Sequence, residues 1–377
     1  MVKTYDIVNA GPKNRFMANG KIVSNCGSGA QLQNLPRNKV HGNILKVLEN
    51  VLEKEMTVQE IRAAYGAPMV VISELIRPMF IARKGYWIAR GDYSQIESRV
   101  LAYLAGATEK LDAFRAKDAG TGPDLYTTTA AKMFGVHYSE IGDERRQTGK
   151  LAELSLGYAG GSKAFLAFAK LYRIPVTEEQ AEEYKIKWRE ANPLIVRLWH
   201  AMEKAAVRCL ENDIGIINPI AEDYDNHIVP GMYFKRNKEV MVLRLISGRH
   251  LFFWYPRLEV VETPYGPKRA VTYATENKIT RQWSREAVYG GLLAAMVTQG
   301  TSTRDIMGVA LDNMEKRNLR PILTVHDEGI CEVPKDLYSE KEAAKAVIET
   351  MLDMPEWAAG IPLAVEASAN DRYAKAK

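Results

Sequence analysis

The run Tyr86-Trp87-Ile88-Ala89-Arg90-Gly91-Asp92-Tyr93-Ser94-Gln95-Ile96-Glu97 changes character half-way along. Its first part, near Tyr86–Ala89, predicts a strand, and Gln95–Ala105 predicts a helix, so Asp92 sits where the one hands over to the other. Far downstream, Pro321–Val333 reads as a hairpin whose tip carries Val325-His326-Asp327-Glu328. Two acids at strand ends suit phosphoryl transfer, which needs metal ions to neutralise charge and carboxylates on rigid elements to hold them. Hard ions such as Mg²⁺ take oxygen ligands and keep several waters, so two aspartates can suffice. Taken singly, each acid could equally cap a turn or a helix, and His326 alone carries no assignment.

Around this pair the elements are mixed. Residues 1–25 read as short strands and turns, with Asn9-Ala10-Gly11-Pro12 and Asn19-Gly20 as turn signals. Ile44, Val47, Leu48, Val51 and Leu52 stand at helix spacing within a helix predicted over 43–65. Residues 124–212 predict a long helical region broken at Gly157, Gly160-Gly161, Pro175 and Pro193, and Val240–Val260 a strand-rich one turning at Ser247-Gly248. A further helix is predicted over roughly 281–317. Helices gathered in the middle with strands on both sides give an α+β class, a helical subdomain inserted into a sheet-based one.

The helical region holds a second cluster, Arg145-Arg146-Gln147-Thr148-Gly149-Lys150-Leu151-Ala152-Glu153-Leu154-Ser155-Leu156-Gly157-Tyr158. Arg146, Lys150, Leu154 and Tyr158 stand four apart, so one helix would align them in a ridge about 18 Å long. Two cations, an apolar residue and a ring in that order match a nucleoside triphosphate laid along the helix, phosphates first. An amphipathic helix with a solvated basic end fits equally well.

Composition narrows the field less. The 377 residues carry a formal charge of +5 and are 46% hydrophobic and 26% charged, an ordinary globular balance that allows a polyanionic partner without requiring one. No apolar run approaches the roughly 20 residues of a membrane helix, and residues 1–6 have no apolar signal core. Three widely spaced cysteines, Cys26, Cys209 and Cys331, speak against a disulfide framework and for a reducing cytoplasm.

Together these pieces resemble the DNA polymerase I family (family A), in its motif order and in a bacteriophage-like style, over roughly residues 26–377. Gln31-Leu32-Gln33-Asn34-Leu35-Pro36-Arg37 looks like the family's primer-template segment, Asp92 through Arg99 like the first catalytic motif, Arg146 through Tyr158 like the fingers helix, and His326-Asp327-Glu328 like the second catalytic motif. The resemblance implies a palm with an antiparallel sheet and inserted helical fingers at about 124–212, with thumb and exonuclease domains expected to be absent. It implies that Asp92, Asp327 and the Tyr93 carbonyl hold two Mg²⁺ ions with Glu328 nearby. Arg146 and Lys150 would grip the dNTP triphosphate, with Gln95 and Leu154 also at the nucleotide. Tyr158 would stack near the templating base, Glu97 would exclude ribonucleotides, and His326 would lie by the primer terminus. Gln33, Asn34, Arg37 and Gln299 would contact primer-template DNA. Leu154 stands where the family usually has Phe or Tyr, so discrimination against dideoxynucleotides is expected, which Leu154→Tyr tests.

Residues 1–26 fit a different resemblance. Thr4-Tyr5-Asp6-Ile7 and Asn14 through Cys26 are similar to the C-terminal end of an intein, with Ser24 and Asn14 where histidines are common. An asparagine, Asn25, can attack its own carbonyl, and the thiol of Cys26 can accept an upstream chain. The reading implies a split intein and an N-terminal polymerase fragment carrying its other part. The remaining alternatives are a small hairpin extension here, and for the whole chain a non-catalytic DNA-binding remnant or a single-subunit RNA polymerase relative.

Overall fold

The computed structural model describes residues 15–18, 21–24, 44–220, 231–263, 266–277 and 282–373. The chain divides into two compact units, one of residues 1–94, 307–354 and 364–377, the other of 95–306 and 355–363. Both mix helices with antiparallel sheet, as the α+β reading expects.

In the first unit, strands β1 (Arg15–Ala18) and β2 (Lys21–Ser24) form an antiparallel hairpin. Asn25, Cys26, Gln33, Asn34 and Arg37 lie outside the described residues. Helix α1 (Ile44–Leu48) runs into a π-turn at Glu49–Glu53, and α2 (Val58–Tyr65) and α3 (Pro68–Leu75) follow. The single helix expected over 43–65 is therefore two. Thr57 starts α2 with a capping box: its hydroxyl accepts from the Glu60 amide while Glu60 accepts from the Thr57 amide at 2.7 Å. Ile44, Val47, Leu48, Val51, Ile61, Val71 and Leu75 close a small core. Strand β3 (Tyr86–Tyr93) then crosses the unit.

The second unit opens with α4 (Ile96–Leu104), α5 (Thr108–Asp118), α6 (Leu125–Phe134), α7 (Asp143–Leu156), α8 (Ser162–Tyr172), α9 (Glu178–Ala191) and α10 (Pro193–Glu211). Local chemistry sets several boundaries: Asp124 caps α6, Thr177 and Gln180 box the start of α9, and Pro193 opens α10. Six strands follow: β4 (Asn218–Pro219), β5 (Tyr233–Arg236), β6 (Val240–Arg244), β7 (His250–Thr263), β8 (Gly266–Glu276) and β9 (Trp283–Val288). They pair in sequence order as an antiparallel sheet, wider than the expected 240–260. Helix α11 (Gly290–Gln299) runs into a π-turn at Gly300–Ile306. The helix expected over 281–317 was thus misjudged at its start. Trp283–Val288 pairs residue for residue with β8, and helix begins only where Gly290 lets the chain press against the Trp199 backbone, where a Cβ would stand 2.5 Å from its carbonyl carbon.

The first unit resumes with α12 (Met307–Lys316), β10 (Arg320–Val325), β11 (Glu328–Pro334), α13 (Glu340–Leu352) and β12 (Val365–Asn370). Its sheet is antiparallel in the order β10-β11-β3-β12, so β3 lies between two strands from the C-terminal part of the chain. One face packs on buried Met314, Val347 and Met351 of α12 and α13. The expected hairpin at 321–333 is β10–β11.

Candidate active site

In the first unit the register decides the geometry. Asp92 on β3 stands directly opposite Glu328 on β11 and Glu366 on β12. The turn between β10 and β11 then brings Asp327 alongside, and the Tyr93 amide donates to the Asp327 carbonyl at 3.1 Å. Asp92 and Asp327 are both half-buried, and His326 between the strands is exposed with φ 56°, a left-handed conformation uncommon for a residue with a side chain. Residue 91 must be glycine: a Cβ there would stand 2.6 Å from Val347 Cγ1 and closer still to the Met351 sulfur. Tyr93 is fully buried, donates to the Met351 carbonyl at 2.6 Å, and its phenol is pushed far up by burial, so it anchors the strand end.

Glu328 is buried, and both its oxygens are taken. Arg90 donates to Oε1 at 2.8 Å and the Tyr373 hydroxyl to Oε2 at 2.7 Å. Arg90 also donates to Ser368 at 3.0 Å, and Arg77 to the Tyr373 hydroxyl at 3.2 Å. Burial first, then the Glu328 charge, push the Tyr373 phenol up. Arg90 and Glu366 escaped the sequence reading because only strand register places them beside the motif acids, and Tyr373 because it reaches Glu328 from beyond the end of β12. Cys331 on β11 is buried, its thiol pushed up to about 12 by burial, which leaves it unreactive.

In the second unit α7 is the centre. Gly149 lies where a Cβ would come within 3.0 Å of the Ala130 amide of α6, so the glycine lets the two helices touch. That contact sets Tyr126 beneath the cations: the Arg146 guanidinium lies 5.6 Å and the Lys150 ammonium 6.0 Å from its ring centre, and Lys150 is 4.7 Å from Tyr172. Arg146 also donates to Asp124 at 3.0 Å. Burial alone would raise the Asp124 carboxyl, but the hydrogen bonds from Arg146 and Thr127 outweigh it and hold it below the usual range. Leu154 on the same side is 40% exposed.

The ridge expected to run from Arg146 to Tyr158 stops short. Helix α7 ends at Leu156, and Tyr158 stands in the following turn, where Gly291 of α11 leaves no room for a Cβ against its backbone. Its hydroxyl donates to Glu97 Oε2 of α4 at 3.0 Å, and burial together with the Glu97 charge pushes the phenol far up. Gln95 caps α4 in the left-handed conformation, φ 53°. Gln299 is exposed at the end of α11.

On the buried side of α7 Glu153 is a hub. It accepts from Lys110 at 2.7 Å and 2.8 Å, from Thr129 at 2.7 Å and from the Trp188 indole at 3.2 Å, while Asn192 accepts from Lys110 at 3.2 Å. Nothing in the sequence pairs these residues, which come from five helices or their ends.

Comparison with known proteins agrees with the motifs. Residues 32–211 match the family model for DNA polymerase family A. A DNA polymerase of Bacillus phage SP02 is 33% identical over 353 residues, covering 93% of this chain and 50% of that protein. A thermostable DNA polymerase I of Thermus filiformis is 26% identical over 312 residues, covering 81% of this chain and 29% of the relative. The chain thus spans half the length of the phage relative, and less of the other. Among solved structures, the POL domain of Pol1 from M. smegmatis, in complex with DNA primer-template and dNTP, superposes with a TM-score of 0.49 at 20% identity, over 80% of this chain and 42% of that one.

Proposed function

We propose that residues 26–377 form the palm and fingers of a template-directed DNA polymerase, adding deoxynucleotides to a primer 3′ end. The observation that carries this reading is the pairing of β3 with β11, which sets Asp92 at the end of β3 next to the turn that holds Asp327. The donor set fits Mg²⁺: hard, half-buried carboxylates whose partial exposure leaves room for water. Asp92 and Asp327 would hold two such ions, with the Tyr93 carbonyl as a further ligand, and the ions would supply charge neutralisation on the phosphates.

The chain's own side chains would do the rest. Arg146, backed by Asp124, and Lys150, seated on two tyrosine rings, would meet the triphosphate. Glu97, steered by Tyr158, would crowd the sugar 2′ position, and Leu154 and Gln95 would lie at the nucleotide. His326 would stand by the primer end and Gln299, Gln33, Asn34 and Arg37 on the DNA. Both Asp92 and Asp327 are present, which a non-catalytic remnant need not keep, and Glu97 favours deoxynucleotides over the substrates of an RNA polymerase. The test is extension of a primed DNA template. Product should need both Mg²⁺ and dNTPs, with ribonucleotides admitted by Glu97→Ala; extension that ignores the metal would refute the reading.

We infer further that residues 1–25 are the C-terminal segment of a split intein, whose partner is an N-terminal polymerase fragment carrying the other intein part. The support is the Asn25-Cys26 junction and the hairpin β1–β2 just before it. Cyclisation of Asn25 should release residues 1–25 ending in a succinimide and leave Cys26 as a new N-terminus. Mass spectrometry of the incubated chain should find both products and Asn25→Ala should abolish them. Equal cleavage in the variant would show ordinary proteolysis.

A further inference from the structure

The outer face of the six-stranded sheet plays no part in the roles assigned so far. Side chains alternate between faces along a strand, and paired residues of antiparallel neighbours share a face. Phe234, Met241, Leu243 and Phe253 point inward and are buried. On the other face the register sets Lys235 opposite Val242, Val242 opposite Phe252, Val240 opposite Trp254 and Arg244 opposite His250. Across β8 the same face continues from Trp254 through Ala274 to Arg285, two residues from Trp283.

The rings on that face are open to solvent: Phe252 is 51%, Trp254 45% and Trp283 70% exposed. Phe252 and Trp254 stand nearly parallel, 6.2 Å between ring centres and 17° between planes, with His250 6.4 Å further along. Cations flank the row. Lys235 is exposed, and Arg244 reaches the Gly231 carbonyl and the Tyr233 ring rather than a carboxylate among the described residues. Glu259 on this face is matched by Arg285 at 3.5 Å and Arg257 at 3.8 Å. Exposed aromatic residues gathered on one face mark an interaction site.

We propose that this face binds single-stranded DNA, stacking bases on Phe252 and Trp254 while Lys235 and Arg244 meet the phosphates. Parallel rings spaced two strand residues apart, about 6.8 Å at the usual rise, present successive π-faces as sheet-based single-strand binders do. A duplex cannot use them, because its base faces are already stacked within the helix. The flanking cations complement a polyanion and leave the aromatic row free.

The test uses the full chain and a labelled oligo-deoxythymidylate of about 16 nucleotides, the upper end of the footprint of one comparable binding fold. Fluorescence anisotropy should show Kd rising at least about tenfold in Phe252→Ala/Trp254→Ala, since two lost stacks at about 1 kcal/mol or more each exceed that factor together. Affinity for a blunt duplex should not change. Lys235→Glu is the second variant, on an exposed side chain that folding does not need, and it should weaken binding and flatten the salt dependence. Unaltered oligonucleotide binding in both variants overturns the proposal. If the alanine pair instead changes the oligomeric state without changing oligonucleotide binding, the face is a contact between copies of the chain and the proposal is equally wrong. Primer extension on the same samples separates the two readings: extension with unaltered oligonucleotide binding sinks this inference alone, and ring-dependent binding without extension sinks the polymerase reading alone.

Discussion

Asp92→Asn should lower the rate of primer extension by at least about a thousandfold while the protein stays folded. Asparagine keeps the shape of the side chain but removes the negative charge that a hard cation requires, and a metal-stabilised phosphoryl transfer loses several kcal/mol with it. Each 1.36 kcal/mol is a factor of ten, so about 4 kcal/mol corresponds to three decades. The substitution should be mild for the fold, because Asp92 is half-buried and the anchoring of the strand end falls to Gly91 and Tyr93. Single-turnover extension with circular dichroism on the same sample measures both. Activity within tenfold of the parent would remove Asp92 from the metal site.

Glu153→Ala should destabilise the helical unit by about 3–5 kcal/mol, the usual effect of removing one partner of a buried ion pair. The change strands Lys110, whose side chain is only 10% exposed, and leaves Thr129 and the Trp188 indole without their acceptor. Removing both charges should be far gentler, because a buried pair replaced by apolar groups is often neutral. Urea unfolding of Glu153→Ala, Lys110→Met and Glu153→Met/Lys110→Met should therefore show strong coupling between the sites. Additive losses would mean that the pair does not act as a unit. The same change should weaken activity through α7, which carries Arg146 and Lys150 on its other side.

Where local chemistry determined structure, the sequence was readable. The passage from strand to helix at Asp92, the hairpin around Asp327 and the helices of 124–212 all follow from periodicity and turn residues within a few positions of each other. The split at Thr57 was equally local, a capping box that periodicity alone overlooked. What was hidden depended on distant partners. Trp283–Val288 becomes a strand because β8 offers a ladder, and Tyr158 leaves its helix because Gly291 and Glu97 hold it elsewhere. Glu328 was read as lying near the motif acids, but its partners were hidden: Arg90 and Tyr373 occupy both of its oxygens, and no spacing rule connects position 328 with position 373. The hub at Glu153 is of the same kind: a buried acid is visible in the fold and looks like any helix-surface glutamate in the sequence.

The most direct test of the polymerase account is primer extension on a primed DNA template with Mg²⁺ and dNTPs, for the parent chain and for Asp327→Ala. The account expects extension by the parent and none by the variant. Extension by both at similar rates would contradict it.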